Sequence, residues 1–299
     1  MWLWLSVLSA FLLGFYDVAK KKASARNSVL HILFYTTAIS SLFFLPLLLS
    51  SIFGWSFDDG SILEIPSCGW KYHLILAAKA VLVSFSWITG LLGLKHLPIT
   101  IVGPIKASRP VFIILFSMLL FGERLSLVQW VGVIISITAL WMLSNSGKRE
   151  GIDFLRDRWV WCMVAAVLSG VASALLDKKI LATMNPVFVQ GWCNVYITAV
   201  MGIALLFTKS LEGGRTQKFR WDWAILGISV FITLSDFCYF FSLYDPASMI
   251  SVVSMLRRSS VIITFVCGAL IFKESNLKGK AVSLLLLLAG MAILLFGSR

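Results

Sequence analysis

Acidic residues are scarce in this chain: 14 Asp and Glu stand against 26 Lys and Arg, and charged residues of both signs make up only 13% of 299. With 59% apolar residues and a mean hydropathy of +0.90, the chain has too few polar side chains to cover a water-soluble globule of its size. Histidine is limited to three residues and cysteine to five. Cys68, Cys162, Cys193, Cys238 and Cys267 show no paired spacing, and all but Cys68 lie inside apolar runs. That pattern argues against a disulfide framework or a zinc site and for small packing residues. The chain also lacks a G-x-x-x-x-G-K-[ST] loop, an H-E-x-x-H or paired C-x-x-C spacing, and a G-x-S-x-G elbow beside a candidate base. Nucleotide hydrolysis, metal-assisted chemistry and serine nucleophilic catalysis lose their usual signatures, so an enzyme is disfavoured and no cofactor is expected.

What is present is a succession of ten apolar runs, at 2–19, 29–52, 72–94, 97–120, 126–144, 159–181, 186–208, 222–243, 246–271 and 277–297. Each is about as long as a bilayer-spanning helix of roughly 20 residues. The expectation is an all-α membrane protein of ten transmembrane helices, with the lipid bilayer as a partner and no room for a soluble domain. The first run is not a cleavable signal, because Lys20, Lys21 and Lys22 follow it instead of preceding it. Trp2 and Trp4 read as interfacial anchors at its start.

The ten runs divide into two fives, 1–146 and 147–299. Ser6, Ala10, Gly14 and Asp17 in the first run recur as Ala166, Gly170, Ala174 and Asp177 in the sixth, at a constant offset of 160. Stripes of small residues let membrane helices approach closely, so each of these spans is expected to pack tightly on a neighbour. Phe121, Gly122 and Glu123 likewise match Phe272, Lys273 and Glu274 at an offset of 151. Because five is odd, the second copy crosses the membrane in the opposite sense, the inverted repeat from which alternating-access carriers are built.

The net charge of +12 would suggest nucleic acid for a soluble domain, but most Lys and Arg here fall between apolar runs, where they set topology, and no nucleic-acid partner is expected. Sixteen of the 26 basic residues follow odd-numbered spans, from Lys20 through Lys280, and five lie on the side that holds both termini. That asymmetry predicts a cytoplasmic basic side and external termini.

The remaining five lie inside spans: Lys79, Lys106, Arg109, Arg257 and Arg258. A charge at the centre of a membrane helix costs on the order of 2.5–3.5 kcal/mol even on a lenient insertion scale, so these residues imply an anion, an acid or water beside them. Lys106 and Arg109 are three apart and share a helix face between Pro104 and Pro110. Asp236 is the one acid placed deep in a span; Asp17, Asp177 and Asp245 fall near span ends. It reads as a counter-ion for Arg258, a proton-coupling group, or both. The excess of cations then implies a wet cavity that awaits an anion, and arginine's planar fork suits phosphate or carboxylate.

The stretch SRPVFIILFSMLLFGERLSLVQWVGVIISITALWML, Ser108 to Leu143, resembles the drug/metabolite transporter superfamily, in particular its EamA-type ten-span members, through Pro110 and the Gly122-Glu123 turn. The resemblance implies a ten-helix carrier whose central cavity faces alternate sides and is lined chiefly by spans three, four, eight and nine. The second half departs from the pattern, with Ser259 and Ser260 where a proline might stand and Lys273 in place of the glycine. Many members of the family resemble the reverse orientation of the termini.

The Arg257-Arg258 pair is similar to the Lys-Arg pair in the penultimate span of the plastid phosphate translocators. This implies that the two arginines grip a phosphoryl group, with Lys106 as the lysine of the first half. Trp87 and Tyr239 are candidates to stack on an organic moiety.

The resulting expectation is a monomeric or homodimeric carrier of the bacterial inner (cytoplasmic) membrane. It moves a small organic anion, foremost a phosphorylated metabolite, by exchange (antiport) or proton coupling. Lys79, Lys106, Arg109, Arg257, Arg258, Trp87 and Tyr239 contact the substrate, and Asp236 serves as counter-ion or coupling group. The alternatives are an exporter of amino acids or other carboxylated metabolites, and a lipid flippase or non-transporting scaffold.

Overall fold

The structure is a computed structural model, and it describes residues 2–25, 27–53, 69–109, 111–112, 116, 126–148, 151–181, 183–207, 220–245, 253, 256–274 and 276–297. Among these residues there are ten helices: α1 (Trp2–Ser24), α2 (Val29–Phe53), α3 (Trp70–His96), α4 (Ile99–Ala107), α5 (Leu127–Lys148), α6 (Arg158–Leu181), α7 (Pro186–Leu206), α8 (Trp223–Tyr244), α9 (Ser260–Leu270) and α10 (Leu277–Phe296). Eight of them, all but α4 and α9, are long and apolar enough to cross a membrane. Pro110, the Gly122-Glu123 turn, Cys68 and most of the expected ninth span before Leu256 lie outside the described residues.

Local chemistry starts several of these helices. Ser126 and Gln129 form a capping box at α5, with Ser126 N–H donating to Gln129 Oε1 at 2.8 Å and Gln129 N–H to Ser126 Oγ at 3.3 Å. Asn185 and Asp222 cap α7 and α8 by accepting from Val187 N–H at 2.8 Å and Ala224 N–H at 2.9 Å, and Pro186 occupies the first turn of α7. α1 runs one turn further than its apolar pattern, because the lysines that end the run continue the helix.

Large apolar side chains such as Phe43, Val81, Phe85, Ile134, Ile262 and Leu285 point outward. In water such a surface would drive aggregation, whereas in hydrocarbon it is the solvated face. The chain is therefore an all-α, multi-pass integral membrane protein.

Helix contacts recur in matched pairs when the first five helices are exchanged with the last five. α1 packs on α8 as α6 packs on α3, α3 on α7 as α8 on α2, and α1 on α9 as α6 on α4, while α2·α7, α4·α9 and α5·α10 pair with their own counterparts. This symmetry is consistent with internal repeats.

The small-residue stripes are contact faces. On α1, Ser6 Oγ lies 2.6 Å from Ser242 Oγ, and Ser9 and Ser235 exchange hydroxyl-to-carbonyl bonds of 2.7 and 2.9 Å. A Cβ at Gly14 would fall 2.7 Å from Ile263 of α9. On α6, the Ala166 carbonyl accepts from Ser86 Oγ of α3 at 2.8 Å.

The same symmetry extends to the two short helices. Ser108 and Ser259, 151 residues apart, each sit at a turn. Each donates its hydroxyl to the carbonyl three residues earlier at 2.6 Å, to Ile105 and Leu256 respectively. A backbone bond of three-residue span follows in each, Val111 to Ser108 at 3.0 Å and Ile262 to Ser259 at 2.9 Å. The continuous apolar pattern gave no sign of these breaks.

Candidate functional site

Between α1, α3, α4, α6, α7, α8 and the residues just before α9 lies a cavity of about 230 Å³. Its wall carries six cations, Lys20, Lys79, Lys106, Arg109, Arg257 and Arg258, and three carboxylates, Asp17, Asp177 and Asp236. All eight residues singled out from the sequence, including Trp87 and Tyr239, line this one space.

The carboxylates are each engaged. Lys106 Nζ donates to Asp17 Oδ1 at 2.7 Å, Lys79 pairs with Asp177, and Arg257 pairs with Asp236. The first pair joins α4 to α1 and the third joins the segment before α9 to α8, each within one half, whereas Lys79–Asp177 ties α3 to α6 across the halves. Lys106 and Arg257 occupy equivalent places, 151 residues apart.

Several expectations change here. Asp17 and Asp177, expected near span ends, are partners of cavity cations, so Asp236 is one of three acids on the cavity wall. Asp236 neutralises Arg257 and not Arg258. Lys79 is only 4% exposed and pairs with Asp177.

Three cations have no carboxylate within salt-bridge distance among the described residues: Lys20, Arg109 and Arg258. Lys20 is buried, at 4% exposure, and donates to Tyr16 Oη at 2.9 Å. Its ammonium sits 4.7 Å from the Tyr16 ring centroid and 5.8 Å from that of Trp87, a cation–π setting. From the sequence it reads as a loop charge that sets topology. The signal it carried was its spacing of three from Asp17, which places both on one helix face once α1 extends past residue 19.

Arg109 follows the turn at Ser108 and lays its guanidinium on Gly170 of α6. A Cβ there would fall 2.8 Å from Arg109 Cζ, and Arg109 Nε is buried without a hydrogen-bond partner. Arg257 stacks over Tyr239, 4.1 Å from the ring centroid, so that aromatic ring already carries a protein cation. Gln190 of α7 donates to the Thr233 carbonyl of α8 at 3.0 Å and also faces the cavity. Among the described residues no group of three or more His, Cys, Asp or Glu side chains is placed to hold a metal ion.

Fold and site thus define a polytopic helical membrane protein with a positively charged chamber between its helices. The chain belongs to the EamA-like transporter family, whose model matches residues 1–145 and 157–296. It is similar to an uncharacterized transporter of Archaeoglobus fulgidus, 22% identical over 277 residues that cover 90% of this chain and 89% of that one. A solved protein structure matches 99% of this chain and 98% of its own with a TM-score of 0.62 at 14% identity, a likeness of fold alone. The protein is a membrane transporter, and transporters of this type are not enzymes.

Proposed function

We propose that this transporter moves a small organic anion, foremost a phosphorylated metabolite, by alternating access of ten spans arranged as inverted repeats, 1–146 and 147–299. The carrying observation is the charge balance of the cavity. Three ion pairs leave Lys20, Arg109 and Arg258 as a formal surplus of three positive charges in about 230 Å³. A dry cluster of that kind would be untenable, while a hydrated one attracts a multiply charged anion from either side.

In this reading Arg109 and Arg258 take the phosphoryl oxygens, and Lys20, beside Trp87, meets the other end of the cargo. Lys79, Lys106 and Arg257 shape the field while their carboxylates keep them in place, with Asp236 the counter-ion of Arg257. A cavity below the roughly 300–1,000 Å³ of drug-sized sites favours a small cargo. No cofactor is needed for this cycle. The protein works as a monomer or homodimer in the bacterial inner membrane.

The test is a thermal-shift panel of purified protein with sugar phosphates, phosphonates, carboxylates and amino acids, followed by counterflow in liposomes. Stabilisation by dianions, lost in Arg258→Ala, is the expected result. Stabilisation by monocarboxylates alone turns the reading toward an exporter of carboxylated metabolites. A flat panel without counterflow removes the anion carrier.

A further inference from the structure

Away from the cavity, several polar contacts join the two halves at their basic side: Arg220 N–H donates to Asn27 Oδ1 and Asn276 Nδ2 to the Ser146 carbonyl, each at 2.9 Å, and a third contact, at Glu274, is charge-assisted. Glu274, in the turn after α9, accepts from the backbone N–H groups that open α4, Ile99 at 2.6 Å and Thr100 at 3.0 Å, and from the Thr100 hydroxyl. Pro98, at the cap position of α4, contributes no side-chain bond, so the carboxylate from the other half does the capping. α9 comes close enough for this because Gly268 has no side chain: a Cβ there would lie 2.8 Å from Thr100 Cγ2.

The turn that delivers Glu274 holds Lys273 and Asn276 at φ +50° and +53°, a region that side chains other than Gly and Asn seldom adopt. Glu274 N–H closes it on the Gly268 carbonyl at 3.2 Å.

The partner segment is tied to its own half as well. Lys21 donates to the carbonyls of Leu94 and Leu97 at 2.7 and 2.6 Å, holding the α3–α4 turn to α1. With that turn fixed to the first half, the Glu274 contact is the charge-assisted bond that has to break when α4 and α9 part on this side. Lys21 directly follows Lys20, so consecutive residues of α1 serve the cavity and the closure.

We propose that Glu274 is the basic-side gate latch of this carrier, closed in this structure and released each time the cavity opens to the basic face. The inference rests on the alternating-access reading above but not on the identity of the cargo.

Cys193, buried in the cavity wall, is a built-in reporter. With the other four cysteines changed to serine, its modification by a membrane-impermeant maleimide added at the basic face is measured. Glu274→Gln is expected to raise that rate about tenfold, as loss of charge-assisted bonds shifts a two-state gate toward open. A second variant keeps the test decisive if Glu274→Gln folds poorly. Thr100→Cys with Gly268→Cys places two sulfurs where a disulfide can form, and oxidation is expected to abolish counterflow until a reductant restores it.

A Cys193 rate unchanged by Glu274→Gln, or a crosslinked protein that exchanges as fast as the reduced one, overturns the latch. Anion-induced stabilisation is read on the same crosslinked protein. Its loss in every form removes the anion reading, and the Cys193 rates still judge the gate.

Discussion

At the scale of single residues, the division between paired and unpaired cations makes separable predictions. Arg257→Ala strands Asp236 beside a buried cavity wall, and breaking a buried pair typically costs about 3–5 kcal/mol, so unliganded thermal stability should fall. Arg258→Ala removes a charge that has no carboxylate partner among the described residues. Its unliganded melting temperature should hold or rise while the response to dianions disappears. Equal loss of stability in both variants would show that Arg258 has a structural partner after all.

Gly170 gives a third case. The atom in its way is the far end of a flexible side chain, so Gly170→Ala should keep the fold and swing Arg109 aside. The expected result is about a tenfold rise in anion Kd, equivalent to about 1.4 kcal/mol, with unchanged unliganded stability.

At the scale of helices, close crossings carry the architecture, since lipid offers no hydrophobic drive for one apolar helix to prefer another. The α5–α10 crossing is held open to backbone contact by two glycines: a Cβ at Gly132 would fall 2.8 Å from the Gly290 carbonyl, and one at Gly290 would fall 2.9 Å from the Gly132 carbonyl. Here the obstacle is rigid backbone. Gly132→Leu should therefore destabilise by about 1–3 kcal/mol or more, read as reduced thermal stability of the purified protein. The same substitution at Gly227, whose nearest neighbour is the ring of Phe231 at 3.8 Å, should be tolerated.

Helix positions were legible in the apolar runs because a bilayer demands a continuous hydrophobic length, and eight of the ten runs appear as helices within a few residues of their expected limits. The turns at Ser108 and Ser259 were not legible. A hydroxyl bonded to a carbonyl three residues back leaves composition and hydropathy untouched.

At the scale of the whole molecule, loop charge still argues for orientation. Moving Lys20 from the loop count to the cavity leaves the basic side far richer than the side with both termini. Tags at either end should be accessible from outside intact cells, and cytoplasmic tags would reverse the topology.

The sequence by itself determined that this protein lives in a bilayer, that its small-residue stripes and acidic residues recur at constant offsets, and that cations lie inside its spans. Each of these follows from local quantities: hydropathy, spacing, and the high cost of charge in hydrocarbon. Which cations are spent on carboxylates, and which are left for a cargo, only the tertiary structure decided. Asp17 meets Lys106 over 89 residues and Asp177 meets Lys79 over 98, and no spacing rule reaches that far. Pairing in a low-dielectric interior depends on distances of a few ångströms, and those exist only after the helices have packed.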